Sequence, residues 1–136
     1  MKYLLIFFVL FAASCSKDKT ANPASPSSIV NGTVKLAGSF IPTSGVSVQG
    51  TAKIISDGNA FAVLIESFAV TAGPDLKVYL SKKDTPFEFI NLGPLKANSG
   101  NQQYVVPPGV DFSIYKYVLI HCQQYDHLFA IAALNP

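Results

Sequence analysis

Two cysteines, Cys15 and Cys122, two histidines, His121 and His127, and eight carboxylates are the side chains of this 136-residue sequence with the chemistry to hold a metal or pass electrons. Cys122 follows His121 directly. Strand alternation over Tyr117–Cys122 puts Val118, Ile120 and Cys122 on one face and Tyr117, Leu119 and His121 on the other. His121 and Cys122 then diverge, and they cannot share a metal unless a β-bulge intervenes. A closed zinc site takes four ligands; one free cysteine, two histidines and scattered carboxylates do not supply them, so no metal site is expected. A reactive thiol needs exposure and a nearby cation or imidazole to lower its pKa. His127, five residues on in the following loop, is the group placed to curl back toward Cys122, with Tyr125 beside it as a second accessory residue. Two readings stay open: Cys122 as a small buried hydrophobe behind Val118 and Ile120, and Cys122 as a redox group. No catalytic residues are assigned. There is no Ser–His–acid motif, no glycine-rich phosphate loop and no metal-ligand spacing. Asp57, Asp75 and Asp126 read as turn residues that bond their own backbone. Tyr79, Tyr104, Tyr115, Tyr117 and Tyr125 read as core or cross-strand aromatics, or as a binding surface.

The elements that must position these residues are strands. Val46, Val48, Gly50, Ala52 and Ile54 alternate with Ser47, Gln49, Thr51 and Lys53. Asp57-Gly58-Asn59 turns the chain into Ala60–Val70, a run apolar enough to be buried on both faces. Ala72-Gly73-Pro74-Asp75 turns it again, into a segment with Leu76, Val78 and Leu80 on one face. Pro86–Ile90 reads as a short strand ended by Asn91-Leu92-Gly93-Pro94, and Gln102–Val106 as another ended by Pro107-Pro108-Gly109. Tyr115–Cys122 and Leu128–Leu134 form a final hairpin across Gln123–His127. Val30–Leu36 reads as a first strand or an ordered arm. No segment carries a capped helical period. The expectation is an all-β chain, a single β-sandwich or barrel-like domain of about seven to eight mostly antiparallel strands.

The N-terminus has a charged Met1-Lys2, the apolar run Tyr3–Ala13 and small residues before Cys15, the pattern of an export signal. It is too short to span a bilayer, which takes about 20 apolar residues. Phe11-Ala12-Ala13-Ser14-Cys15 resembles the lipobox of bacterial lipoproteins. That resemblance implies cleavage before Cys15 and attachment of diacylglycerol and palmitate chains to it, enough acyl chains for stable anchoring. Residues 1–14 are then signal, 15–28 the lipidated cysteine and a Pro/Ser-rich flexible tether, and 29–136 the folded domain. The expected location is the bacterial cell envelope, on the outer membrane. With Cys15 bonded to lipid, Cys122 has no intramolecular partner. All ten cationic residues are lysine. Without arginine the bidentate contacts typical of phosphate and base recognition are missing, which excludes a nucleic-acid binder. The membrane is the expected partner; a protein or small-molecule partner is not specified.

Three further stretches occur in a telling order. Gly73-Pro74-Asp75-Leu76-Lys77-Val78-Tyr79-Leu80-Ser81 is followed by Leu92-Gly93-Pro94-Leu95-Lys96-Ala97 with Gly100-Asn101-Gln102-Gln103-Tyr104-Val105-Val106-Pro107. Then comes Val118-Leu119-Ile120-His121-Cys122-Gln123-Gln124-Tyr125 with Phe129 and Ala132. Together they resemble the DM-thirteen domain, also called the electron-transfer DM domain, over roughly Val46 to Leu134. The resemblance implies a redox role and matches Cys122 to the family cysteine, as a free thiol or as the ligand of a prosthetic group such as haem. His121 stands where the family carries an aromatic residue. Three functions follow as expectations: electron transfer through Cys122, a non-catalytic surface interaction module with Cys122 as core packing, and a small-ligand binder with a pocket between its sheets.

Overall fold

The computed structural model describes residues 31–136; the signal, Cys15 and the whole of the tether lie outside the described residues. Eight strands account for the fold: β1 Thr33–Pro42, β2 Val48–Ser56, β3 Phe61–Val70, β4 Leu76–Ser81, β5 Phe89–Pro94, β6 Gln102–Val106, β7 Tyr117–Cys122 and β8 His127–Ala133. They hydrogen-bond antiparallel in the order β5-β4-β7-β8-β1-β2-β3-β6. The edge strands β5 and β6 come together, so the sheet is a nearly closed barrel. No helix among the described residues is long and apolar enough to cross a membrane. The expected all-β domain of seven to eight strands is the one found.

β1 belongs to both halves of the barrel. Thr33–Ser39 pairs with β2, and Phe40–Pro42 pairs with β8. Gly38 sits where the strand changes partner, and a Cβ there would lie 2.0 Å from the Ala133 carbonyl oxygen. Close backbone approach is thus built into the crossing.

The seam opposite is closed by side chains. Gln102 Oε1 accepts from Lys96 N–H (3.1 Å), Ala97 N–H (3.2 Å) and the Tyr104 hydroxyl (2.6 Å), while Gln102 Nε2 donates to the Ala97 carbonyl (2.9 Å). The second motif stretch, Leu92 to Pro107, therefore earns its residues structurally, by tying the end of β5 to β6.

Alternation fills the interior. Ala52, Ile54, Val63, Ile65, Val78, Leu80, Val118, Ile120, Cys122, Ala130 and Ala132 form one cluster with no exposed surface. Each buried large aliphatic contributes roughly 1.5–3 kcal/mol. This packing corrects the expectation of a ligand chamber between the sheets: the interior is occupied by the chain's own side chains.

Several boundaries also differ from the sequence reading, two of them by more than two residues. The first strand runs on to Pro42, because β1 has a second partner waiting in β8. β5 is Phe89–Pro94, not Pro86–Ile90. Gly93 and Pro94 normally end a strand, but β5 is an edge, where a proline costs no ladder bond. Gly93 takes φ +113° in a bulge opposite Val78/Tyr79.

The outward face of β4 and β7 is buried as well. Tyr79, Ser81, Leu119 and His121 point away from the core yet are almost fully covered. The β4–β5 connection and β5 supply contacts on this face. The Ser81 hydroxyl donates to the Thr85 carbonyl at 2.9 Å, and Phe89 stacks on Tyr79 at 4.0 Å.

Candidate functional site around Cys122

Cys122 ends β7 and has no solvent exposure. It faces inward with Val118 and Ile120, as alternation requires. Its cross-strand neighbours are Leu76 on β4 and His127 on β8. His127 is therefore not in the loop, where the sequence reading put it. It opens β8, because the turn takes only Gln123–Asp126. Directly opposed residues share a side of the sheet, so His127 and Cys122 are brought together by register, with no curling back of a loop. The histidine is exposed and the thiol is not.

A bulge shapes this corner. Ile120 pairs with Ala130 but His121 pairs with Leu128, so β8 carries one extra residue at Phe129. That lets Phe129 and Ala130, consecutive in sequence, both join the core. The Phe129 ring meets the His127 ring edge-on at 5.0 Å. Gly73 lies over the same place: a Cβ on it would come within 2.9 Å of Leu76 and 3.1 Å of Phe129. Gln123 N–H donates to the Asp75 carbonyl at 3.0 Å. The first and third motif stretches thus meet at Cys122, Gly73 roofing its neighbours and Asp75 pinning the turn that follows it.

The other sequence candidates are dispersed. Tyr125 stands out of the turn, 67% exposed. The Asp75 carboxylate ion-pairs with Lys77 at 2.9 Å. Asp57 accepts from the amides of Asn59 and Ala60, both at 2.9 Å, and the Ala60 bond first, then Asn59, holds its pKa below the ordinary value. Tyr104 lies in the core and Tyr79 is buried on the outward face of β4, and burial pushes both phenols up. Among the described residues no three His, Cys, Asp or Glu side chains gather as metal ligands.

His121 was overlooked as a site residue, although its place in the third motif, where the family has an aromatic, was the available signal. It is buried under Lys77, Tyr79 and Asp126. Its Nε2 lies 3.1 Å from Asp126 Oδ1. A carboxylate only accepts, so the hydrogen-bond network puts the proton on Nε2. Nδ1 is then a buried acceptor with no partner. Asp126 is held in the left-handed region, φ +48°, and is 96% exposed, so its bond adds little. An orphaned buried acceptor costs about 1–3 kcal/mol. His121→Phe, which keeps the ring against Tyr79 and removes Nδ1, is expected to stabilise the domain by about 1 kcal/mol. The urea midpoint at pH 7 measures it; a lower midpoint would make the Asp126 bond the larger effect.

Haem is a poor fit to this corner. A macrocycle bound through Cys122 Sγ needs open space beside it, and Leu76, Ile120, Phe129 and Ala130 occupy the surroundings in one packed cluster. Two surface cavities are lined by other residues, one by Lys35, Leu36, Phe112, Lys116 and Leu134 and the other by Ser47, Val48, Ala69 and Thr71. His121 lies across the sheet from the thiol, out of reach as a second ligand.

Neither a curated protein nor a solved structure matches the chain. A family model does, over residues 40–134, and its description is electron transfer DM13. The matched span takes in both strands that converge on Cys122, the Gly73 roof and the Gln102 seam, and it exceeds half the sequence: the chain belongs to the electron transfer DM13 family.

Proposed function

We propose that this protein is a lipoprotein of the bacterial envelope, anchored through Cys15 at the outer membrane, whose domain takes part in electron transfer through the Cys122 thiol. Family membership supports the redox role. The observation that carries the assignment to Cys122 is its register pairing with solvent-facing His127 at the meeting point of two family motifs. Cys122 is the free cysteine of the described residues, so its oxidised form joins a second molecule. The Cys122 thiolate attacks a partner disulfide, one S–S bond breaks as another forms, and the partner leaves as a thiolate. His127 is placed to take the thiol proton once the turn Gln123–Asp126 swings away. In the closed arrangement the thiol is protected from over-oxidation by burial.

Labelling with a soluble aromatic disulfide tests this. The native domain is expected to react with one equivalent, slowly, but faster than it unfolds, and His127→Ala is expected to slow the reaction several-fold near neutral pH. A thiol that reacts only at the rate of global unfolding would sink the proposal. The second reading would then stand: a surface interaction module in which Cys122 fills the core, favoured by its complete burial beside Ile120. Under it Cys122→Ala leaves the biological phenotype unchanged.

A further inference from the structure

A cavity of about 470 Å³ opens at the barrel rim, remote from the Cys122 corner, between the start of β1, the segment before β7 and the residues after β8. Its volume is within the ordinary range for small-molecule sites, roughly 300–1,000 Å³. Leu36, Phe112 and Leu134 give it apolar walls, and Lys35 and Lys116 stand at its margin.

Lys35 and Leu36 are consecutive, and on a regular strand only one of them would face the cavity. The strand is not regular here. Val34 pairs with Ile55 but Leu36 pairs with Ile54, so Lys35 is an inserted bulge residue. Bulges re-aim side chains, and this one brings a cation to the same side as Leu36. Lys116 comes from the opposite wall. Lys53, Lys77 and Lys82 each pair with a carboxylate; among the described residues Lys35 and Lys116 pair with none. Asp111, the carboxylate at the start of the neighbouring loop, accepts from Ser113 N–H at 2.8 Å.

The walls are held in place. Ala37 and Asn135 exchange two backbone bonds at 2.8 and 2.9 Å, Leu134 N–H donates to the Lys116 carbonyl at 2.8 Å, and Tyr115 N–H donates to the Asp111 carbonyl at 2.9 Å. The Asn135 side chain is spent on the Ala133 carbonyl. Little ordering is left for a ligand to impose.

We propose that this rim cavity binds a small amphipathic carboxylate, its apolar body against Leu36, Phe112 and Leu134 and its anionic head between Lys35 and Lys116. Apolar walls alone would take any grease. Two unpaired cations, one of them aimed by a bulge, select an anion with an apolar tail.

The test uses residues 29–136, a span that contains all eight strands and the core cluster of the described residues. Amide NMR spectra are recorded while sodium decanoate, kept below its micelle concentration, is titrated in. Parallel titrations use decanol and decyltrimethylammonium. Saturable shifts confined to residues 34–37, 112–116 and 134–135 are expected. Lys35→Ala with Lys116→Ala should weaken decanoate by about tenfold, since each exposed charge contributes modestly. Both lysines are exposed, and the variant's own spectrum reports its fold. The neutral and cationic amphiphiles should bind more weakly than decanoate by at least a similar factor. Absence of saturable shifts, shifts centred elsewhere, equal binding of decanol, or an unaffected double variant would each overturn the proposal.

Discussion

Gly38→Ala is expected to destabilise the domain by about 3 kcal/mol or more, near the upper end for overpacking. A methyl group on Gly38 would be placed 2.0 Å from the Ala133 oxygen and 2.7 Å from its carbonyl carbon. Both are backbone atoms, so no side chain can swing aside. Relief requires β1 to move away from the end of β8, which pulls on the paired backbone bonds of Ala37 and Asn135. The measurement is a urea unfolding curve at 25 °C. Gly109→Ala is the control. Gly109, unlike Gly38, has a conformation that side chains resist, φ +83°, but its Cβ would meet nothing within 4 Å. It should cost about 1 kcal/mol, the penalty for an L side chain in the left-handed region. Equal effects at the two positions would mean that the approach to Ala133 costs no more than left-handed backbone strain alone.

Ile120→Ala is expected to remove about 3–4 kcal/mol. Ile120 is fully buried, pairs with Val78 and Ala130, and lies two residues from Cys122 on the same face. Neighbours held in two ladders cannot collapse into the space left behind. The same variant separates two routes to the thiol. If Cys122 is reached only by global unfolding, its labelling by an aromatic disulfide should accelerate in step with the lost stability, by about a hundredfold or more. If the turn Gln123–Asp126 opens by itself, Ile120 stays packed during the opening. Labelling should then rise far less than the unfolding constant. The proposed redox role expects the second outcome; a full hundredfold rise would make Cys122 an inert part of the core.

Much of this could be read in the residues. Period-two alternation placed Cys122 with Val118 and Ile120, and Leu76 with Val78 and Leu80, because each of these strands buries one face in a single interior. The three motif stretches led to the family that residues 40–134 match. What stayed hidden has a common cause: it depends on partners distant in sequence. The outward residues Tyr79, Leu119 and His121 look solvent-facing in sequence yet are buried, Tyr79 beneath the Phe89 ring. His127 reads as a loop residue because the brevity of a turn is set by the register of two strands, not by composition. The bulge at Lys35 leaves no trace, since Val34-Lys35-Leu36 alternates perfectly on paper; only the shift against Ile55 and Ile54 reveals it. Gly38 carries no turn signal either, since it is demanded by a carbonyl almost a hundred positions away.

The position of β8 sets the timetable of assembly. It is the last strand in chain order, yet it lies in the middle of the sheet, with β7 on one side and β1 on the other. A growing chain can zip β1, β2 and β3 as a local meander and later add β6. It can separately pair β4 with β5 and β7. These halves have no keystone until residues 127–133 arrive. Phe40–Pro42 must wait for Ala130–Ala132, and the inner face of β7, with Cys122 on it, stays open to solvent and to oxidants for as long as that wait lasts. On this order of assembly there is an interval in which the Cys122 thiol is at its most accessible, and closure of the barrel is the event that ends it.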